Sequence, residues 1–133
     1  MKKYPLERLF QALADSTRLR LINLMAAQEI CVCYFVEVIG APQPKISRHL
    51  AYLRKAGIVA SKREGRWMHY RLVMPDDPHA AAVLKATVDS MKLDRELQRD
   101  LQRLDKVCCG PQSLVQVLGA PPRGHAARIV DAG

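Results

Sequence analysis

The sequence predicts a mainly α fold of about five helices carrying one two-stranded β-hairpin. Three observations lead there. Apolar residues recur at three- and four-residue steps through most of residues 1–109. Two strand-like segments flank a single glycine-containing connection, Glu64-Gly65-Arg66. Hydrophobic residues make up 49% and charged residues 26%, an ordinary globular composition. A chain of 133 residues accommodates one domain with a tail, not two unrelated domains. The domain is expected at 1–109 and a flexible C-terminal tail at 110–133, where 4 of 24 residues are Gly and 3 are Pro. The longest apolar run, Ile30 to Val36, is 7 residues, far short of the roughly 20 that span a bilayer. The basic start Met1-Lys2-Lys3 leads into no apolar stretch. A cytoplasmic location away from membranes is therefore expected.

The elements follow in order. Leu6, Leu9, Phe10 and Leu13 place one apolar stripe on a short first helix. Asp15-Ser16-Thr17 offers side-chain oxygens to cap a second, which carries Leu21, Leu24 and Met25 inward, turns Arg18, Arg20 and Asn23 elsewhere, and runs to about Ala27. Cys33 to Ile39 supports two helical turns, closed by Gly40 and Pro42. After a tight turn at Ala41–Gln43, Pro44 suits the first turn of a helix whose buried face is Ile46, Leu50 and Leu53 and which Gly57 ends. Ile58 to Arg63 and Trp67 to Val73 form the hairpin, the only β structure expected. Asp77 caps and Pro78 begins one long last helix, with Leu84, Val88, Met91, Leu93, Leu97, Leu101, Leu104 and Cys108 along its seam and Gly110-Pro111 at its end.

Charge is concentrated where this order matters. Residues 43–74 hold 8 Lys/Arg against a single acid, so they carry +7 of the formal +8. A solvated basic face would explain such a run only with considerable self-repulsion, whereas a polyanionic partner relieves it. Two helices joined by a short turn, the second basic and followed by a basic hairpin, make a winged helix-turn-helix. With Ile46, Leu50 and Leu53 inward, Lys45, Ser47, Arg48, His49 and Tyr52 lie outward near the end that enters a major groove. Gln43, Arg48 and His49 suit base edges, while Lys45 and Ser47 suit phosphates at least as well. Lys62, Arg63 and Arg66 cluster at the hairpin tip, where backbone or minor-groove contact is available. Trp67 and Tyr70 lie on opposite strand faces, and packing beneath the wing accounts for one of them better than base stacking does.

Three segments, Leu13-Ala-Asp-Ser-Thr-Arg-Leu-Arg-Leu-Ile22, Gln43-Pro-Lys-Ile-Ser-Arg-His-Leu50 and Arg63-Glu-Gly-Arg-Trp-Met-His-Tyr-Arg71, resemble the ArsR family of metal-sensing winged-helix repressors. They occur in the family's order and separations, and the resemblance covers about residues 4–107. It implies a homodimer held by the first and last helices, which binds double-stranded operator DNA without inducer and releases it when a soft metal or metalloid binds. An apolar seam on a long terminal helix agrees with a partner chain, although packing within one subunit would also cover it.

Glu29-Ile-Cys31-Val-Cys33 is similar to the family's arsenical-sensing motif. A helix N-terminus lowers a thiol's pKa, and thiolates favour soft centres such as trivalent arsenic or antimony over hard cations. On a regular helix residues i and i+2 point about 200° apart, so these two thiols chelate one atom only if the first turn is unwound or Cys31 precedes the helix. Distortion there would shift the recognition helix. The familiar third cysteine, three positions on, is replaced by Val36. Cys108-Cys109 either completes this site or forms its own, and two thiolates alone would suit a methylated arsenical. All four cysteines are candidate ligands, set against the common role of free cysteine as a small buried hydrophobe. His79, Asp89 and Glu96 correspond only weakly to the family's zinc sites and are expected as solvated side chains.

An enzyme is not expected, nor a catalytic cofactor. A phosphate-binding loop would place an arginine six residues after a cysteine, but those positions hold Glu37, Ile39, Leu114 and Val115. The alternatives keep the DNA-binding domain: the cysteines act as a redox switch, or the sensed ion is divalent, such as zinc or cadmium. A Cys31–Cys33 or Cys108–Cys109 disulfide would be poorly placed, which leaves pairing between the two clusters.

Overall fold

In the computed structural model, residues 4–109 are described, and the element order is α1 (Leu6–Leu13), α2 (Ser16–Met25), β1 (Ile30–Cys31), α3 (Val32–Ile39), α4 (Gln43–Lys55), β2 (Val59–Glu64), β3 (Trp67–Leu72), α5 (Pro78–Met91) and α6 (Arg95–Cys109). The expected tail at 110–133 lies outside the described residues, as do the side chains of Cys108 and Cys109. The mainly helical winged fold is present, with two differences in its element list.

Local chemistry sets most boundaries. Asp15 caps α2, its carboxylate accepting from the Arg18 amide at 3.0 Å, and α2 ends at Met25, two residues earlier than expected. Gly40 closes α3 with φ 76°, where its amide donates to the Val36 carbonyl at 2.9 Å. At the end of α4 the Gly57 amide donates to Arg54 and the Ile58 amide to Leu53, the paired bonds of a Schellman motif, with Ile58 and Leu53 both buried. Gly65, at φ 60°, takes the first central position of the two-residue hairpin turn, as in type II′.

The hairpin is not the only β structure. Ile30 and Cys31 form a third, two-residue strand, giving an antiparallel sheet in the order β1-β3-β2. A strand so short leaves no alternation to read in the sequence.

The single long last helix is replaced by two. Asp94 accepts from the Leu97 amide at 3.0 Å and so caps a new helix. Lys92, Leu93 and Asp94 amides bond three residues back, tightening the end of α5. Leu93, expected in the seam, is 89% exposed at this corner. The break lets α6 fold back across α2 and α3, burying Leu104 and half-burying Leu97, Leu101 and Val107. Asn23, expected to face away from the core, is buried and donates to the Leu97 carbonyl at 2.8 Å.

The core gathers Leu9, Leu21, Ile22, Tyr34, Phe35, Ile58, Leu72 and Leu84 with the expected inner face of α4, Ile46, Leu50 and Leu53. The first helix divides its stripe: Leu9 is buried, but Leu6 and Phe10 are 41% and 51% exposed.

Candidate DNA interface and thiol site

Burying Ile46, Leu50 and Leu53 fixes the rotation of α4 and leaves Gln43, Lys45, Arg48 and Tyr52 exposed, with Ser47 half-buried. Pro44 in its first turn is tolerated because the amide there has no intrahelical partner. His49 differs from its neighbours. Its side chain is 18% exposed, with Nδ1 3.3 Å from Arg18 Nη1 and 3.8 Å from Asp15 Oδ1. Burial holds its imidazole below the usual histidine value, with Asp15 opposing and Arg18, Lys45 and Arg48 reinforcing. Neutral His49 accepts from Arg18, so its ring fastens α4 to α2.

At the wing tip Lys62, Arg63 and Arg66 are exposed. Lys62 Nζ lies 2.9 Å from Glu64, and the Arg66 guanidinium stands 4.8 Å over the Trp67 ring. Tyr70 packs its ring 6.3 Å from that of Phe35. Both Tyr70 and Trp67 are half-buried against the core, and Trp67 also carries the Arg66 guanidinium at the basic tip.

The thiol site resolves the spacing problem. Cys31 sits before α3 with extended backbone, φ −71° and ψ 145°, while Cys33 lies in the first turn. The two Sγ atoms are 3.2 Å apart, the Cys33 thiol donating to Cys31. Cys31 is buried and Cys33 half-buried. That hydrogen bond lowers the Cys31 thiol to about 7, against the effect of burial, and the Cys33 and Val32 amides at the helix start add to it. Cys33 moves up, because its proton is shared with Cys31, it is desolvated, and a second thiolate beside the first is repelled.

The helix containing Cys108 and Cys109 packs on α3, but their side chains are outside the described residues. His79, Asp89 and Glu96 are exposed. Among the described residues, no group of three or more His, Cys, Asp or Glu is gathered as an ion site. No helix among them is long and apolar enough to cross a membrane.

Two contributors were not singled out from the sequence. Arg18 ties α1, α2 and α4 together, and His69 lies buried opposite Cys31 in the sheet. Arg18 falls in a capping segment whose local role masks its tertiary one. For His69, the pairing with Cys31 depends on β1, which carries no sequence signal.

The family model for bacterial regulatory proteins of the arsR family matches residues 15–61. The arsenic resistance transcriptional regulator ArsR1 of Pseudomonas putida is 44% identical over 108 residues, covering 80% of this chain and 82% of that protein. The arsenical resistance operon repressor of Escherichia coli is 42% identical over 83 residues, 62% of this chain and 68% of the repressor. Among solved structures, a possible transcriptional regulator for arsenical resistance is 35% identical with a TM-score of 0.50, covering 71% of this chain and 94% of that one. With a winged helix-turn-helix, a basic α4 and wing, and relatives matched along most of their length, the chain belongs to the arsR family of bacterial transcriptional regulators.

Proposed function

We propose that the chain is a homodimeric repressor that holds operator DNA until Cys31 and Cys33 capture trivalent arsenic, with antimony as a chemically similar inducer. The observation that carries this reading is the pair of thiols 3.2 Å apart at the entry to α3, the helix that precedes α4 across the turn at Gly40. Such a pair can contact one soft atom without unwinding the helix.

Arsenite enters as its trihydroxide. Each thiol sulfur replaces one hydroxide on arsenic, the thiol proton leaves with that hydroxide as water, and arsenic stays trivalent. Cys31, already easy to ionise, supplies the first sulfur. Where it reacts as the thiolate, the hydroxide it displaces takes its proton from solvent to leave as water, and the loss of thiolate charge to arsenic relieves the repulsion that holds the Cys33 proton. A methylated arsenical has two exchangeable positions and fits two thiols fully. Arsenite retains a third, for which Cys108 or Cys109 is the available thiol in the chain.

On the DNA side, Gln43 and Arg48 approach base edges, Lys45, Ser47 and Tyr52 flank them, and Lys62, Arg63 and Arg66 follow the backbone. His49 contributes by orienting α4. Leu6 and Phe10 on α1 leave an exposed apolar surface that a second subunit would cover, and two-fold pairing presents two α4 helices to successive turns of DNA.

The test is fluorescence anisotropy of reduced protein on DNA from upstream of its own gene, at fixed salt because phosphate contacts make affinity salt-dependent. Release by arsenite or methylarsenite, absent in Cys31→Ser and Cys33→Ser, supports the reading. Release only by peroxide, reversed by reductant, would establish a redox switch. Release by zinc or cadmium under reduction would establish a divalent sensor. Binding unmoved by all of these would refute thiol-based induction.

A further inference from the structure

The short strand β1 does more than place Cys31 before a helix. Both of its residues pair with β3, Ile30 with Tyr70 and Cys31 with His69. On its other edge β3 pairs with β2, where the same His69 lies opposite Lys62. Directly opposed residues of an antiparallel sheet project to one face with Cβ atoms about 5 Å apart. Cys31, His69 and Lys62 therefore form a row running from the thiol site to the DNA-facing wing.

His69 is an unusual member of that row. It is 8% exposed, and its buried Nε2 has no hydrogen bond. A polar nitrogen retained in this way calls for a reason beyond packing. Its neighbour is Glu64, whose Oε2 lies 3.6 Å from Nε2 and whose Oε1 holds Lys62 Nζ at 2.9 Å. Trp67, the chain's single tryptophan, pairs with Glu64 and lies two residues from His69 on the same face.

We infer that His69 is a positioning residue that relays occupancy of the Cys31–Cys33 pair to the wing tip through Glu64 and Lys62. The inference rests on the thiol-capture reading above. Binding one atom between two sulfurs resets Cys31 relative to Cys33. Cys31 belongs to a strand only two residues long, so the strain is shared with its partner on β3. His69 then moves against Glu64, and the ion pair that sets the Lys62 ammonium is disturbed. Inducer binding would thus have two outputs, α4 through α3 and the wing through β3, each reducing DNA affinity.

The experiment uses the reduced, full-length, DNA-free protein titrated with arsenite while two signals are followed. Near-ultraviolet absorption of the arsenic–thiolate bonds reports capture, and Trp67 emission reports the wing. In the wild type both signals are expected to change and to saturate together, and both vanish in Cys31→Ser. His69→Leu and Glu64→Gln are expected to keep the absorption change and lose most of the Trp67 response. In these variants the arsenite-induced loss of DNA affinity falls by roughly fivefold, the low end of coupling between sites. Glu64 is exposed, so Glu64→Gln keeps the test alive if His69→Leu does not fold. Capture in the wild type with unchanged Trp67 emission overturns the relay. So does a full Trp67 response in both variants. No absorption change at all overturns the thiol-capture reading itself, and the relay with it.

Discussion

The guanidinium of Arg18 lies 4.2 Å from the centroid of the Tyr52 ring, stacking a residue of α2 on the outer face of α4. The same side chain donates to the carbonyls of Ala12 at 2.8 Å and Gln11 at 2.9 Å in the last turn of α1, where the Gln11 carbonyl also accepts from the Ala14 amide at 3.3 Å. Its third nitrogen lies against His49. One planar group thus joins the end of α1, the start of α2 and the middle of α4, which is a role for a fork of donors rather than a point charge.

Replacing Arg18 with Ala is expected to lower stability by about 2–4 kcal/mol, the loss of three hydrogen bonds and a half-exposed cation–π contact. Urea unfolding at a fixed protein concentration measures it. Arg18→Lys should recover only part of the loss and should bind operator DNA less tightly than wild type. Full recovery by Lys would show that charge alone matters at this joint.

Helix α6 is clamped to α2 by a second arginine. Arg20 meets Asp100 with two bonds of 2.8 and 2.9 Å, and Asp100 is largely buried while Arg20 is 35% exposed. Asp100→Asn removes the charge while keeping the shape and one hydrogen-bond acceptor. A loss of about 1–3 kcal/mol is expected, as for hydrogen bonds to charged groups, and hydrogen exchange should rise in α6 before it rises in α2. Equal loosening of both helices would mean that the pair holds the whole core rather than the clamp.

Much of this architecture is legible from periodicity. Ile46, Leu50 and Leu53 give the rotation of α4, hence its outward face, because burial on one side of a helix dictates the other. Caps at Asp15 and Asp77 are equally local, and both are found. The failures have tertiary causes. Asp94 reads as one more charge on a helical surface until it caps α6, and the apolar steps of three and four on either side read as one seam although Met91 to Leu93 is a step of two, which is where the corner lies. Asn23 is made interior by the fold-back of α6 and His69 by β1, contacts that no local pattern announces. The thiol spacing was legible as a problem, and a strand two residues long is its solution.

The exposed apolar side of α1 bears on assembly. Phe10 is 51% exposed beside Leu6 at 41%, and an amphipathic helix that keeps such a face uncovered in one chain matches a subunit contact. Phe10→Glu is expected to shift sedimentation toward the monomer at micromolar concentration. Operator affinity should fall at least tenfold, because two α4 helices no longer bind as a unit. A dimer of unchanged stability would move the interface elsewhere.

The Cys31 thiol gives a prediction in pH. Its usual value is 9.0, and in the folded chain the Cys33 hydrogen bond lowers it to about 7. Between these values the folded chain has released a proton that the unfolded chain still holds. Stability from this group therefore grows as pH rises through 7, is complete above about 9, and is lost as pH falls through 7. Cys33 acts in the opposite sense, since it stays protonated when its unfolded counterpart ionises, so its contribution turns against the fold only above about 9. The interval from pH 7 to 9 isolates Cys31. Over it, wild-type stability under reducing conditions should rise relative to Cys31→Ala, and the far-ultraviolet thiolate absorption lost in that variant should titrate with a midpoint near 7. Cys33→Ala removes the hydrogen-bond donor and should carry the midpoint back toward the ordinary thiol range. A midpoint near 9 in the wild type would mean that Cys33 does not support a Cys31 thiolate, and arsenic capture would then have to begin from two protonated thiols.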